Sequence, residues 1–256
     1  MKNSVELIGV YGSDVVHACS AWTSTSRALT DSKLARVDKL LDMLVSEGHH
    51  TPFEKSCLHF LVTTDIATHI HLLKHRIGVS INGESARYKE LGKRRGRGED
   101  KYFLPEDWPE EERETLRDHV LSCYSKYHAT LERLVEKGHP RKRAKESARF
   151  YLPYATQITA DVMFNFRSFF HFQILRNSHH AQREVRQVAQ QMWDLIEQSH
   201  PEFRGTLRAF TEMVERDRLR EVALDALQEH GLIKEGDTVE DVTEALNRLI
   251  HGSDFS

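Results

Sequence analysis

Three stretches of this chain hold side chains whose types and spacing could do chemistry. They are His50-Thr51-Pro52-Phe53-Glu54, the run from Lys74 to Tyr88, and the run from Asn165 to Arg176. The middle run offers Lys74-His75-Arg76, then a loop of small and polar residues, then Ser85-Ala86-Arg87. A guanidinium grips a phosphate through two parallel charge-assisted bonds. Small loop residues let backbone N–H groups come close to an anion. The combination suits the phosphate of a nucleotide or a flavin. An ordinary polar loop with surface arginines has the same composition, and the residue types alone do not choose. In that plainer reading Ser85 only caps a turn, and no base stands beside it in sequence to activate its hydroxyl.

The third run sets Arg167 and His171 four residues apart, on one helical face. Arg176 follows about two and a half turns after Arg167 and is expected to face elsewhere. Phe169, Phe170, Phe172, Ile174 and Leu175 lie between them, so both guanidiniums are expected to be at least partly buried. A buried charge without a partner is very costly. A structural carboxylate such as Glu184 or Asp161 would serve, and so would a ligand.

These stretches need elements to hold them. Residues 5–11 read as an opening strand, ended by Gly12-Ser13-Asp14. Leu34, Val37, Leu40, Leu41, Leu44 and Val45 recur at helical spacing behind caps at Asp31-Ser32, and Gly48 ends that helix. Residues 57–62 read as a second strand. Asp65 can then cap a short helix that runs into Lys74-His75-Arg76. The stretch 77–105 reads as loop with short strands. A long helix is expected over 110–137, stopped by Gly138, and Pro140 starts a basic helix that ends before Pro153. Residues 157–164 read as a strand. Helical pattern then fills 168–200 and 201–220, with two weaker amphipathic helices around 224–227 and 239–249. Few strands separated by helices indicate an α/β or α+β domain with helix in the majority.

Composition narrows the class. The chain has 256 residues, which fits one large domain, or one with a small appendage. No run approaches the roughly 18 apolar residues of a membrane span, and no basic start with an apolar stretch marks a secretory signal. Cys19, Cys57 and Cys123 are widely spaced with no CxxC, which suits a reducing cytoplasm and argues against a disulfide framework or a cysteine zinc site. A net charge of -3 gives no global basic field for nucleic acid. The basic stretches Lys93–Gly98 and Arg141–Lys145 lack interleaved aromatics, so they read as solvated faces and no nucleic-acid partner is expected. The 16 histidines invite a metal reading built on His179-His180 with His49-His50. Adjacent histidines on a helix point apart, and no acidic spacing completes a site, so no metal is expected.

Taken together, the three stretches resemble the flavin-dependent thymidylate synthases. That family carries Arg-His-Arg, a seven-residue spacer and Ser-x-Arg-Tyr. A Thr/Ser-Pro-x-Glu element stands some twenty residues earlier. Asn-x-Arg, then His or Asn, then Arg come nearer the C terminus. Here Thr51-Pro52-Phe53-Glu54, Lys74-His75-Arg76 with Ser85-Ala86-Arg87-Tyr88, and Asn165-Phe166-Arg167 with His171 and Arg176 stand in that order. The similarity runs from residue 5 to about 213, and the co-occurrence is far more specific than any piece. The sequence departs at three points. Lys74 replaces the first arginine, keeping the charge but losing the fork. Gly83 stands where glutamate is usual. The spacer from Arg76 to Ser85 is eight residues, with Ile77-Gly78-Val79 placed to absorb the extra one.

The resemblance implies a helix-rich single domain over 1–213 with a small mixed or antiparallel sheet, and a helical extension over 214–256. It implies methylation of dUMP to dTMP, with FAD reduced by NADPH as hydride source and methylenetetrahydrofolate as one-carbon donor. Thr51, Glu54, His75, Arg76, Ile77, Asn82, Asn165, Arg167 and His171 would touch FAD. His71, Lys74, Glu84, Ser85, Arg87, Arg149 and Arg176 would hold dUMP. Arg176 would also be catalytic, favouring ionisation at N3 of the uracil as an electrostatic stabiliser. The family uses no protein nucleophile, and the three cysteines lie outside all three stretches. A homotetramer with shared FAD sites is implied. The loop departures leave open a paralogue that methylates another pyrimidine nucleotide, such as UMP.

Overall fold

Alternating apolar residues build four strands: β1 (Ser4–Tyr11), β2 (Cys57–Asp65), β3 (Val79–Gly83) and β4 (Gln157–Phe164). They form one antiparallel sheet in the order β1-β2-β4-β3. Leu58, Phe60 and Val62 of β2 and Ala160, Val162 and Phe164 of β4 are buried and line its inner face. The pairing of β1 with β2 slips between Leu7 and Gly9, so Ile8 bulges out, 49% exposed. These statements come from a computed structural model that describes residues 2–92 and 101–229, with 231, 233, 234, 238, 241 and 242 beyond them. The basic run Lys93–Gly98 lies outside the described residues, as does the expected tail helix over 239–249 apart from residues 241 and 242.

Nine helices pack around this sheet among the described residues. The first, α1 (Asp14–Trp22), is absent from the sequence reading. Ser13 both ends β1 and caps α1, its hydroxyl accepting from the Val16 N–H at 3.2 Å. The helix expected from residue 31 is two, α2 (Asp31–Leu34) and α3 (Val37–Ser46), with Ala35 and Arg36 between. Strand β2 runs three residues further than the expected 57–62. Asp65 then caps α4 (Ile66–Leu72), accepting from the Thr68 N–H at 2.8 Å. The long α5 (Glu110–Glu136) and the basic α6 (Arg141–Ala148) pack on each other through Tyr127, Leu131, Ala144 and Ala148.

The continuous helix expected over 168–200 is also two, α7 (Phe166–Arg176) and α8 (Arg183–Ser199). Helix α9 (Arg204–Glu229) is one unbroken rod through residues 213 and 214. His179 and His180 therefore sit in the turn between α7 and α8, not on a helix. Their rings do not point apart; the centroids are 3.8 Å from each other.

The core that backs the third stretch is aromatic. Phe166 stacks on Phe203 at 5.5 Å, and Phe53 meets Phe210 edge-on at 4.9 Å. His17 of α1 lies among them, fully buried, 5.1 Å from Phe53 and 5.7 Å from Phe166. The Asp14 carboxylate caps α9, accepting from the N–H groups of Gly205 at 2.7 Å and Thr206 at 2.8 Å. It also takes the Thr206 hydroxyl proton at 2.6 Å, so that oxygen can only accept from His17 Nδ1–H, 3.0 Å away. His17 Nε2 is left bare and buried, and burial pushes the imidazole pKa down to about 4.

A stability effect follows with a definite sign. Above pH 6.5 His17 is neutral in both folded and unfolded chains and costs nothing. Below that the unfolded chain binds a proton that the folded one refuses, so stability is lost as pH falls toward 4. The expected loss from this one group between pH 7 and pH 5 is about 2 kcal/mol. Urea unfolding at the two pH values, for the native chain and for His17→Leu, measures it. An equal pH dependence in both would remove His17 from the account.

Candidate active site

Local capping brings the three stretches to one place. Helix α4 stops at Leu72, so Lys74, His75 and Arg76 lie just past its C-terminal end. Gly78 follows with φ at 64°, and its carbonyl accepts from the Asn165 N–H at 3.1 Å. Asn165 caps α7, its Oδ1 accepting from the Ser168 N–H at 2.8 Å. The Phe166 N–H donates to Ser56 Oγ at 3.2 Å, and Ser56 donates to the Phe53 carbonyl, also at 3.2 Å. The 3-10 turn Thr51–Glu54, the end of α4 and the start of α7 are thereby pinned together. Ser56, Gly78 and Ser168 do this holding. The sequence reading gave Gly78 only a share in absorbing the extra spacer residue, gave Ser168 only a place at a helix start, and did not single out Ser56, which lies just past Glu54.

A hollow of about 260 Å³ opens between these elements, lined by Lys74, His75, Arg76, Ile77, His171 and Arg176 among others. Arg176 does not face away from His171, as expected, but lines the same hollow. Its Nε–H donates to His75 Nε2 at 3.0 Å. The His75 ring stands edge-on to Phe172 at 4.9 Å and lies 6.4 Å from His171. Burial, then the charge of Arg176, then His171 and His71 push the His75 pKa down to about 4. His75 is therefore neutral at pH 7, with its proton on Nδ1 and Nε2 accepting.

Arg167 is also a correction. Its side chain is 51% exposed rather than buried, and its Nη1 donates to Glu54 Oε1 at 2.6 Å. Neither arginine uses the carboxylates proposed from sequence. Glu184 accepts from the Gln182 amide at 2.8 Å, and Asp161 is taken by His59. Lys74 and Arg76 meet no carboxylate among the described residues. Ile77 is 90% exposed, Thr51 and His171 are exposed, and His71 is half-buried on α4.

The remaining expected residues form a second group along the end of β3. Glu84 accepts from the Thr159 N–H at 3.1 Å and pairs with Lys89. Ser85 Oγ accepts from the Arg87 N–H at 3.3 Å, so the hydroxyl caps this turn. Arg87 Nε donates to Glu146 Oε1 of α6 at 3.0 Å, and its guanidinium lies 5.6 Å from the Tyr88 ring centre. Arg149 heads the exposed 3-10 turn Arg149–Tyr151 and meets no carboxylate among the described residues. Asn82 lies exposed on β3 opposite Asp161. No hydrogen bond or ion pair among the described residues ties this group to the hollow.

With this geometry in view, the chain matches the family model described as thymidylate synthase complementing protein over residues 6–202. The chain belongs to that family. All three stretches fall inside the match, and α9 lies wholly beyond it. The flavin-dependent thymidylate synthase of Kosmotoga olearia is 30% identical over 207 residues, covering 73% of this chain and 82% of the relative. That of Streptomyces coelicolor is 29% identical over 212 residues, covering 74% and 84%. The solved UMP/dUMP methylase PolB of Streptomyces cacaoi, bound with 5-Br UMP, aligns with a TM-score of 0.61 at 26% identity. It covers 82% of this chain and 94% of that one. The same methylase bound with 5-Br dUMP gives 0.61 at 27%. The expected family and the helix-rich fold with a small antiparallel sheet both stand.

Proposed function

We propose that this protein is a flavin-dependent thymidylate synthase that methylates dUMP to dTMP, using FAD, NADPH and methylenetetrahydrofolate. The observation that carries the reading is the hollow at the end of α4. Lys74 and Arg76 stand there with no carboxylate partner among the described residues, beside an arginine whose neighbour His75 is neutral. Such a donor set suits a phosphate- and carbonyl-bearing group. The hollow is smaller than the roughly 300–1,000 Å³ of a whole small-molecule site. This supports a dinucleotide held partly by other subunits, in a homotetramer.

FAD, when bound and reduced, supplies hydride. The chain's own residues bind, orient and polarise. His75, Arg76, Ile77, Asn82, Asn165, Arg167 and His171, with Thr51 and Glu54, hold the flavin. Asn165 does so from a fixed place, because its side chain also caps α7. Ser85, Arg87 and Arg149 hold the nucleotide phosphate, and His71, Lys74 and Glu84 flank it. Arg176 stabilises charge developing on the uracil. No cysteine serves as nucleophile: Cys57 is half-buried and burial pushes its thiol up, the opposite of activation. We take residues 1–213 as the catalytic domain, 214–256 as a helical extension, and the cytoplasm as its compartment.

Addition of FAD at a hundred times its dissociation constant is expected to raise stability by about 2.7 kcal/mol. Thermal unfolding with and without FAD checks this, and no shift at saturation would end the flavin reading. A second reading, methylation of UMP, is favoured by Lys74 and Gly83 and by likeness to a UMP/dUMP methylase. Parallel turnover of dUMP and UMP with reduced FAD separates the two.

A further inference from the structure

We propose that His75 is a positioning residue for Arg176: its bare Nε2 ties down the arginine's Nε–H, so that the two terminal guanidinium nitrogens face the hollow as an end-on fork. This rests on the reading of Arg176 as the group that meets the pyrimidine. The resemblance gave His75 only a flavin contact; the hydrogen bond at 3.0 Å gives it a second task. A guanidinium can present either its Nε edge or its terminal pair to a partner. With Nε engaged, only the terminal pair is left to grip two adjacent acceptors, such as the N3–carbonyl edge of a uracil.

The bond requires His75 to be neutral, and its surroundings keep it so. His71, Lys74 and Arg76 lie on or just beyond α4, and His171 and Arg176 come from α7. Among the described residues no carboxylate lines the hollow to offset these charges. Protonation would turn the acceptor into a donor and set a like charge against Arg176. The imidazole pKa of about 4 puts that event well below neutral pH. Phe172, edge-on at 4.9 Å, and burial hold the ring in plane with its task.

The test uses the full chain and three readouts. Nitrogen-15 NMR of the histidine rings, with no ligand added, is expected to show His75 protonated at Nδ1 and bare at Nε2. The opposite tautomer would overturn the proposal, and this result stands whether or not the protein methylates dUMP. In turnover at saturating FAD, His75→Leu is expected to lower kcat by about 10²–10³, as loss of a preorganised donor's geometry does, beyond any weakening of FAD binding. His75→Gln, whose side-chain oxygen can accept, is expected to recover kcat to within about tenfold of the native value. The native enzyme should also lose kcat as pH falls toward 4, and His75→Gln should not. If both variants lose FAD binding in step and keep native kcat at saturation, His75 is a flavin contact alone. If His75→Leu fails to fold, the tautomer and His75→Gln decide. If the native chain methylates neither dUMP nor UMP, the functional reading fails, while the tautomer still judges the His75–Arg176 bond.

Discussion

Arg176→Ala is expected to lower dUMP methylation by about 10²–10³ while the chain still folds, binds FAD and accepts electrons from NADPH. Fold survival follows from what Arg176 touches. It is half-buried at the last residue of α7, and its hydrogen bond is to a neutral imidazole rather than to a buried carboxylate. Its loss leaves no orphaned countercharge. Loss of its charge also removes one cause that holds His75 down, so that histidine becomes more basic. Flavin reduction survives because the residues assigned to FAD are others. Single-turnover methylation and anaerobic flavin reduction, measured on the same preparation, separate the steps. Near-normal methylation would remove Arg176 from catalysis, and gross unfolding would make it a structural residue. Arg176→Lys sharpens the result. Lysine keeps the charge but has neither Nε–H nor fork, so a large loss shows that geometry is needed.

The second large effect is on stability. Gly78→Ala is expected to cost about 2–4 kcal/mol, the sum of a left-handed backbone and an unrelieved clash. At φ 64° a Cβ would run into the Ser168 hydroxyl and the amide of Asn165, the residue whose Oδ1 caps α7. The Ser168 hydroxyl can turn away, but the Asn165 amide cannot shift far without disturbing its Oδ1 cap on the Ser168 N–H. Gly48 is the internal control, with φ at 70° but open space around it. Gly48→Ala should cost only the backbone part, about 1 kcal/mol. Urea unfolding of both variants gives the difference, and FAD affinity should fall only in Gly78→Ala. Equal costs would mean that the turn before β3 relaxes and does not hold the site.

How far this was legible from sequence varies with the physics involved. Strand β4 and helix α5 stand where periodicity puts them, because their apolar residues repeat cleanly and Gly138 closes α5. Helix α1 was missed because one signal did two jobs: Gly12-Ser13-Asp14 stops a strand, and Ser13 also caps the next helix. The break between α7 and α8 has no glycine or proline to announce it. The partners of the arginines were out of reach for a different reason. Glu54 and Arg167 are 113 positions apart, and His75 and Arg176 are 101 apart. Nearness along the chain pointed to Asp161 and Glu184 instead. The resemblance grouped these residues as binders of ligands and was silent on their bonds to one another. The close pair of His59 and Asp161 across β2 and β4 had no local signature either.

The bulge at Ile8 bears on how copies of this chain meet. β1 and β3 are the two edges of the sheet, and an edge strand offers unpaired backbone groups to any passing strand. The slip between Leu7 and Gly9 kinks one edge and breaks its even row of donors and acceptors. The other edge is five residues long, so it offers few unpaired groups to a neighbour. Neither side is a flat template. A kinked edge and a short one both disfavour open-ended strand addition between copies at high concentration.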